Sequence, residues 1–392
     1  MTRQIYMDNA ATTPIKKEVL DAMMPYFTEK FGNASSVYRV GRESKKALDE
    51  SREKVAKSIG AKPKEIYFTG GGSEADNWAI KGVAFANRNK GNHIITSKIE
   101  HPAVLNTCEY LEKEGFEVTY LDVDEYGLIN LDELKNSIKD ETILITIMFA
   151  NNEIGTIQPV KEIGEIAHQK GIYFHTDAVQ AIGNVAINVE ELNIDMLSLS
   201  AHKIYGPKGV GALYIRQGVK VHPYMHGGAQ EKSRRAGTEN IPGIVGLGKA
   251  IELATNNLEE HNSKLLKLRN KLINDVMSKI DYVRLNGHPE KRLPGNVNFS
   301  FEFIEGEALL LSLDMVGIAG SSGSACSSGS LDPSHVLMAI GLPHEIAHGS
   351  LRLSLGDFNN EEDIDYVVEN LGIIVNRLRQ MSPLYEKVRG NA

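Results

Sequence analysis

Cysteine is almost absent from this 392-residue chain: Cys108 and Cys326 are the only two. Two thiols build neither a disulfide framework nor, by themselves, a four-ligand metal site. Positive charge is also in deficit, with 43 Lys and Arg against 51 Asp and Glu and a formal net charge of −8. A chain so balanced is not expected to bind nucleic acid directly, because that requires a basic surface to displace counterions. Long apolar runs are missing. The longest strong one, Thr142–Ala150, is strand-sized, well short of the ~18 residues of a membrane span. The opening MTRQIYMDNA has no basic region followed by an apolar stretch, so no signal peptide is expected. What is present is ordinary: 42% hydrophobic and 24% charged residues, enough for a large core. At ~150 residues per domain the length suggests two or three domains. The expectation is a soluble, cytoplasmic α/β protein without membrane contact.

From about Ile66 to Arg216 short β-rich runs alternate with helical patterns. The predicted strands are Ile66–Thr69, His93–Ser97, Glu117–Leu121, Thr142–Phe149, Ile172–His175, Met196–Ser200 and Val210–Ile215. Segments such as Glu74–Ala86 and Val160–Gln169 between them repeat apolar residues every three or four positions. That alternation predicts βαβ units and a mainly parallel seven-stranded sheet, with functional groups just beyond the strand ends. After Gly246 the pattern changes to a long helix (Ala250–Lys279), a strand (Val297–Phe303), a helix (Glu305–Met315) and a second strand (Leu351–Leu355). A last helix is expected after Asn360, opened by Glu361, Glu362 and Asp363, and a fraying tail after Met381. The predicted division is a large α/β domain over 16–255 and a smaller α+β domain from 1–15 and 256–392.

Two strand ends carry the chemistry. Ser200-Ala201-His202-Lys203-Ile204-Tyr205-Gly206-Pro207 delivers a lysine into a Gly/Pro turn, where it is either solvated or held for covalent chemistry with a carbonyl. Thr176-Asp177-Ala178-Val179-Gln180 ends another strand in a carboxylate. Asp177 is either a helix N-cap or an acid facing a pyridinium nitrogen. A Schiff-base lysine with an acid for the ring nitrogen is the protein's half of pyridoxal phosphate chemistry. Thr69-Gly70-Gly71-Gly72-Ser73-Glu74 then supplies a phosphate cup at a helix start, with Ser200, His202 and Thr238 as further donors. Alone, such a glycine run is most often only a turn, and it matches neither a Walker loop nor a dinucleotide fingerprint.

The two cysteines differ. Cys108 lies on a helical stretch, Ala103–Glu114, and reads as a structural thiol. Gly320–Ser330 holds six Ser, three Gly, one Ala and Cys326. Side chains this short have little to bury, so a mobile surface loop carrying a reactive thiol is expected, against the alternative of a tolerated free cysteine.

With these strings on the page, the chain resembles cysteine desulfurases of the NifS/IscS group, in the class V branch of fold-type I pyridoxal phosphate enzymes. The resemblance runs from Asp8-Asn9-Ala10-Ala11-Thr12-Thr13 and Gly32-Asn33-Ala34-Ser35-Ser36 through Glu100-His101-Pro102, Asn151-Asn152-Glu153-Ile154-Gly155 and both strand-end strings. It closes with Gly323-Ser324-Ala325-Cys326-Ser327-Ser328 and Ser350-Leu351-Arg352-Leu353-Ser354-Leu355-Gly356. It implies that Lys203 holds the cofactor covalently, Asp177 binds its ring nitrogen, His101 stacks on the ring and Gln180 bonds its phenolic oxygen. Asn152 would place ring or substrate, and Gly72, Ser73, Ser200 and His202 would hold the phosphate. Thr238 would reach the phosphate of a partner subunit in a homodimer, and Arg352 the carboxylate of L-cysteine. Cys326 would take the sulfur as a persulfide, with His101 as a proton carrier. The sulfur would pass to an iron–sulfur scaffold or another acceptor, where Cys326 could also ligate a cluster. Rival readings are a selenocysteine lyase, a class V aminotransferase and a sulfur-relay scaffold. One departure bears on the cofactor: the family's phosphate loop reads nearer Ser-Gly-Ala-Thr-Glu-Ser-Asn-Asn. The extra glycines here are expected to loosen the loop, and Asp76 to add an anion beside it.

Overall fold

The structure is a computed structural model that describes residues 3–322 and 333–390, side chains of 387–390 excepted. Twelve strands occur among the described residues. They are β1 (Ile5–Tyr6), β2 (Ile66–Thr69), β3 (His93–Ser97), β4 (Glu117–Leu121), β5 (Thr142–Thr146) and β6 (Tyr173–Asp177). The remainder are β7 (Met196–Ser200), β8 (Gly211–Ile215), β9 (Val283–Leu285), β10 (Asn296–Phe301), β11 (Ile318–Ala319) and β12 (Ser350–Ser354).

All seven predicted sheet strands pair in one sheet of order β2-β8-β7-β6-β5-β3-β4. Pairs from β4 to β7 are parallel, whereas β8 runs antiparallel to both β7 and β2. The central strands β3, β5, β7 and β8 are buried along their whole length, as a sheet covered on both faces requires. Helices Arg39–Ser58 and Ile241–Asn256 pack over one face around Leu48, Val55, Leu199 and Leu247. Helices Gly72–Ala86 and Pro102–Lys113 cover the other around Trp78, Ile80, Ile94 and Cys108. Cys108 is fully buried, which pushes its thiol pKa up and leaves it inert.

A separate core gathers Ile5 and Met7 with Leu268, Leu272, Phe299, Leu351 and Val367. Around it lie the antiparallel sheet β12-β10-β9 and the pair β1–β11. The last long helix spans Glu361–Gln380 and opens on a capping box: Asn360 Oδ1 accepts from Asp363 N–H at 3.0 Å, and Asp363 Oδ2 accepts from Asn360 N–H at 3.2 Å. Two expectations need correction. The long helix is two, Ile241–Asn256 and Leu258–Lys279, broken at Asn257. The tail also forms a helix, Pro383–Gly390, because Tyr385 packs on Phe303 and Tyr282.

Candidate active site

The carboxyl ends of β5, β6 and β7 open onto a cavity of about 190 Å³. Its lining includes nine of the predicted residues: Gly72, Ser73, His101, Asn152, Asp177, Gln180, Ser200, His202 and Lys203. They come from five separate stretches of chain, and the parallel strand order is what brings them together.

Lys203 sits in a short turn directly after β7, and its Nζ donates to Ala10 O at 2.6 Å and Ala11 O at 2.7 Å. Gln180 Nε2 donates to the same Ala10 carbonyl at 3.0 Å. The amino-terminal string thus acts through its backbone, which side-chain reasoning had not assigned. Asp177 ends β6 rather than capping a helix; its Oδ1 accepts from Val179 N–H at 2.9 Å. Burial raises its pKa, opposed by His101, that N–H and Lys203. A buried carboxyl turned to the cavity, with the Lys203 amine near it, fits a ring nitrogen that arrives with a proton. His101 caps helix Pro102–Lys113, its Nδ1 accepting from Ala103 N–H at 3.1 Å, so the ring proton belongs on Nε2. Burial lowers its pKa, so it is a neutral imidazole at pH 7.

The phosphate cup lies against this cavity and is lined by Ala11, Thr12, Gly70–Ser73, Ser200, His202 and Lys208. The first amides of helix Gly72–Ala86 have no intrahelical acceptors and so can meet an anion. The glycines do not merely loosen this loop, contrary to expectation. A Cβ on Gly72 would come within 2.7 Å of Val179 Cγ2, and Gly71 has φ +153°, so close packing and backbone shape demand them. The loop is also braced from outside: Gly70 N–H donates to Glu74 Oε2 at 2.9 Å, and Arg235 Nε grips Glu74 Oε1 at 2.8 Å. His202 Nδ1 pairs with Thr12 Oγ1 at 3.1 Å. Burial first, then Lys203 and Lys208, hold its pKa down at about 4, making it a neutral partner for phosphate. Asp76 is 1% exposed and lines the same cavity as Asp177, together with Gly72 and Ser73.

Two predicted residues, Arg352 and Thr238, lie outside this lining. Arg352 is 1% exposed on β12, donating to Asn152 O at 3.1 Å and to Asp8 Oδ1 at 2.8 Å. A substrate carboxylate meeting this guanidinium must share it with Asp8, a partner missed because the two are 344 residues apart. Thr238 is exposed on the segment beyond Arg235 and does not line the cavity. Cys326 lies outside the described residues. Among the described residues that follow it in sequence, Ser334 Oγ donates to Glu153 and His335 Nε2 pairs with Glu100 O at 3.0 Å. Among the described residues no group of three His, Cys, Asp or Glu is placed to hold a metal ion, and no helix is long and apolar enough to cross a membrane.

A seven-stranded α/β sheet with a lysine, an acid and a phosphate cup at its strand ends defines a pyridoxal phosphate enzyme of fold type I, and the chain belongs to the class-V aminotransferase family, whose model matches residues 5–367. The chain is 65% identical over 385 residues to a cysteine desulfurase IscS of Methanosarcina thermophila, covering 98% of this chain and 95% of that one. A solved NifS-like protein superposes with a TM-score of 0.91 at 41% identity, covering 96% of this chain and 100% of the other. SspA, solved in complex with cysteine, matches with a TM-score of 0.80 at 41% identity, covering 91% and 99%. Within the class-V family, then, this chain is a cysteine desulfurase.

Proposed function

We infer that the chain converts L-cysteine to L-alanine and takes the sulfur onto Cys326 as a persulfide. The observation that carries this is the convergence of Lys203, Asp177 and His101 on one cavity, with Asn152 joining it to Arg352. Lys203 would hold pyridoxal phosphate, Asp177 its ring nitrogen, His101 its ring face and Gln180 its phenolic oxygen, while Gly72, Ser73, Ser200 and His202 hold the phosphate. When bound, the cofactor supplies an electron sink for a carbanion at Cα.

The residues do the rest. Arg352 and Asn152 orient the substrate by its carboxylate. The Lys203 amine, once freed, removes the Cα proton and later returns a proton to carbon. The Cys326 thiolate attacks the substrate sulfur; an S–S bond forms as the C–S bond breaks, and a proton on the departing carbon completes alanine. Neutral His101, with its proton on Nε2, is suited to carry a proton between thiol and substrate. The balance is one L-cysteine and one thiol consumed, one L-alanine and one persulfide formed.

The working unit in this reading is a homodimer, supported by Thr238 standing exposed, three residues beyond the Arg235 that braces the phosphate loop, where a neighbouring copy could use it. The chain divides into 16–255 and a smaller unit of 1–15 with 256–392, supported by the pairing of β1 with β11. A reducing compartment such as the cytoplasm suits a persulfide-forming thiol. The acceptor is an iron–sulfur scaffold or another sulfur carrier, and Cys326 could ligate a cluster in that complex. Lys203→Ala is the test: alanine production and the visible colour of the bound cofactor should both vanish. Turnover retained in that variant removes Lys203 from the reaction.

A further inference from the structure

Beneath the ring end of the cavity lies a carboxyl that the proposed chemistry leaves idle. Asp76 projects from the second turn of helix Gly72–Ala86, is 1% exposed, and lines the same cavity as Asp177. Its Oδ1 has no hydrogen-bond partner. The imidazole of His175 stands 3.7 Å from that oxygen but brings no charge. It is wholly buried, engaged by Thr146 Oγ1 at 2.8 Å and Ser198 Oγ at 3.0 Å, and burial holds its pKa near about 3. The other ionisable groups acting on Asp76 are acids, Asp177 and Glu100, and both push its pKa up on top of the effect of burial; the Ser198 hydroxyl works the other way. Glu100 has an unpartnered oxygen of its own and is pushed to about 8. An ionised Asp76 would therefore be a buried anion without a counter-ion, beside another carboxylate, with an oxygen left bare. A neutral acid avoids that desolvation penalty.

We propose that Asp76 stays a protonated, neutral carboxylic acid at neutral pH and acts as a positioning residue that leaves Asp177 as the single negative charge facing the cofactor ring. The consequence for the ring rests on the role given to Asp177 above; the protonation of Asp76 does not. In this arrangement the two acids differ by which of them can find a cation. Asp177 meets one when the cofactor is loaded, and Asp76 never does.

Infrared spectroscopy of the cofactor-free protein with isotope-labelled aspartate separates the two ideas, since it needs neither turnover nor bound cofactor. The wild type should show the carbonyl stretch of a protonated aspartic acid at neutral pH. The band should disappear in Asp76→Asn and persist in Asp177→Asn. Its absence from the wild type, or its survival in Asp76→Asn, overturns the proposal. Should Asp76→Asn fail to fold, Asp76→Ser takes its place: loss of the band upholds the proposal and its survival overturns it. Affinity for pyridoxal phosphate gives a second reading. Replacing one neutral group by another in Asp76→Asn should change it by less than about fivefold; any larger change would mean that a charge had been removed and overturns the proposal.

Discussion

The two ends of the cofactor cradle are built on different principles. At the ring end, buried side chains do the work: Asp177, His101, Asp76 and Glu100 all have pKa values moved by burial, and their chemistry depends on water being absent. At the phosphate end, the work falls to backbone amides and short hydroxyls on a loop open to solvent, with Gly70 and Ser73 both exposed. The lesson is that the ring end should be sensitive to any change of charge, while the phosphate end should lose affinity in small, additive steps.

The largest break in that contrast should come from Asp177→Asn, which removes the ring's counter-charge with little change of shape. Desulfurase turnover is expected to fall roughly a hundredfold to a thousandfold, as when other preorganised electrostatic partners are removed; alanine release in steady state measures it. At the opposite end, Ser73→Ala deletes one hydroxyl from a cup with several donors. Cofactor affinity should weaken by about tenfold, the worth of one hydrogen bond to a charged group at ~1.5 kcal/mol, with turnover at saturating cofactor nearly intact. Equal damage from both substitutions would erase the distinction.

A third prediction uses pH. Glu100 accepts from Ser97 Oγ and Met148 N–H, both at 2.8 Å, and burial lifts its pKa to about 8 from the ordinary 4.5. The folded chain therefore keeps a proton that the unfolded chain releases. The stability from this group is complete below about pH 4.5 and is lost as pH climbs through about 8, at up to ~1.4 kcal/mol per unit. Glu100→Gln should remove that group's share of the slope, seen as urea midpoints that decline less steeply across the interval than those of the wild type. The smallest effect belongs to the segment leading to Arg235, where Glu231, Lys232 and Ser233 take φ of 44°, 58° and 62°. Ser233 is exposed, so Ser233→Gly should stabilise the chain by about 0.5 kcal/mol, the left-handed strain relieved less the extra freedom of the unfolded glycine. Thermal unfolding at fixed cofactor concentration reads it.

Much of this contrast was legible before any coordinates. The sheet could be read because each central strand is a short apolar run ending in polar residues, as in Met196–Ser200 before Lys203. Lys203 and Asp177 stood out for the same reason. What could not be read were relations across the chain: the carbonyls of Ala10 and Ala11 that hold Lys203, Asp8 on Arg352, and Arg235 bracing Glu74. Those depend on backbone atoms or on partners hundreds of residues away, which leave no periodic mark. The break at Asn257 was missed because the helical pattern continues through it.

The central claim is that the ring cradle and Cys326 belong to one reaction. Incubation with L-cysteine, followed by alanine assay and mass measurement of the peptide containing Cys326, tests it directly. Alanine formed together with a gain of one sulfur atom on that peptide is the predicted result. Alanine formed with that peptide unmodified, and the sulfur carried elsewhere, would contradict the account.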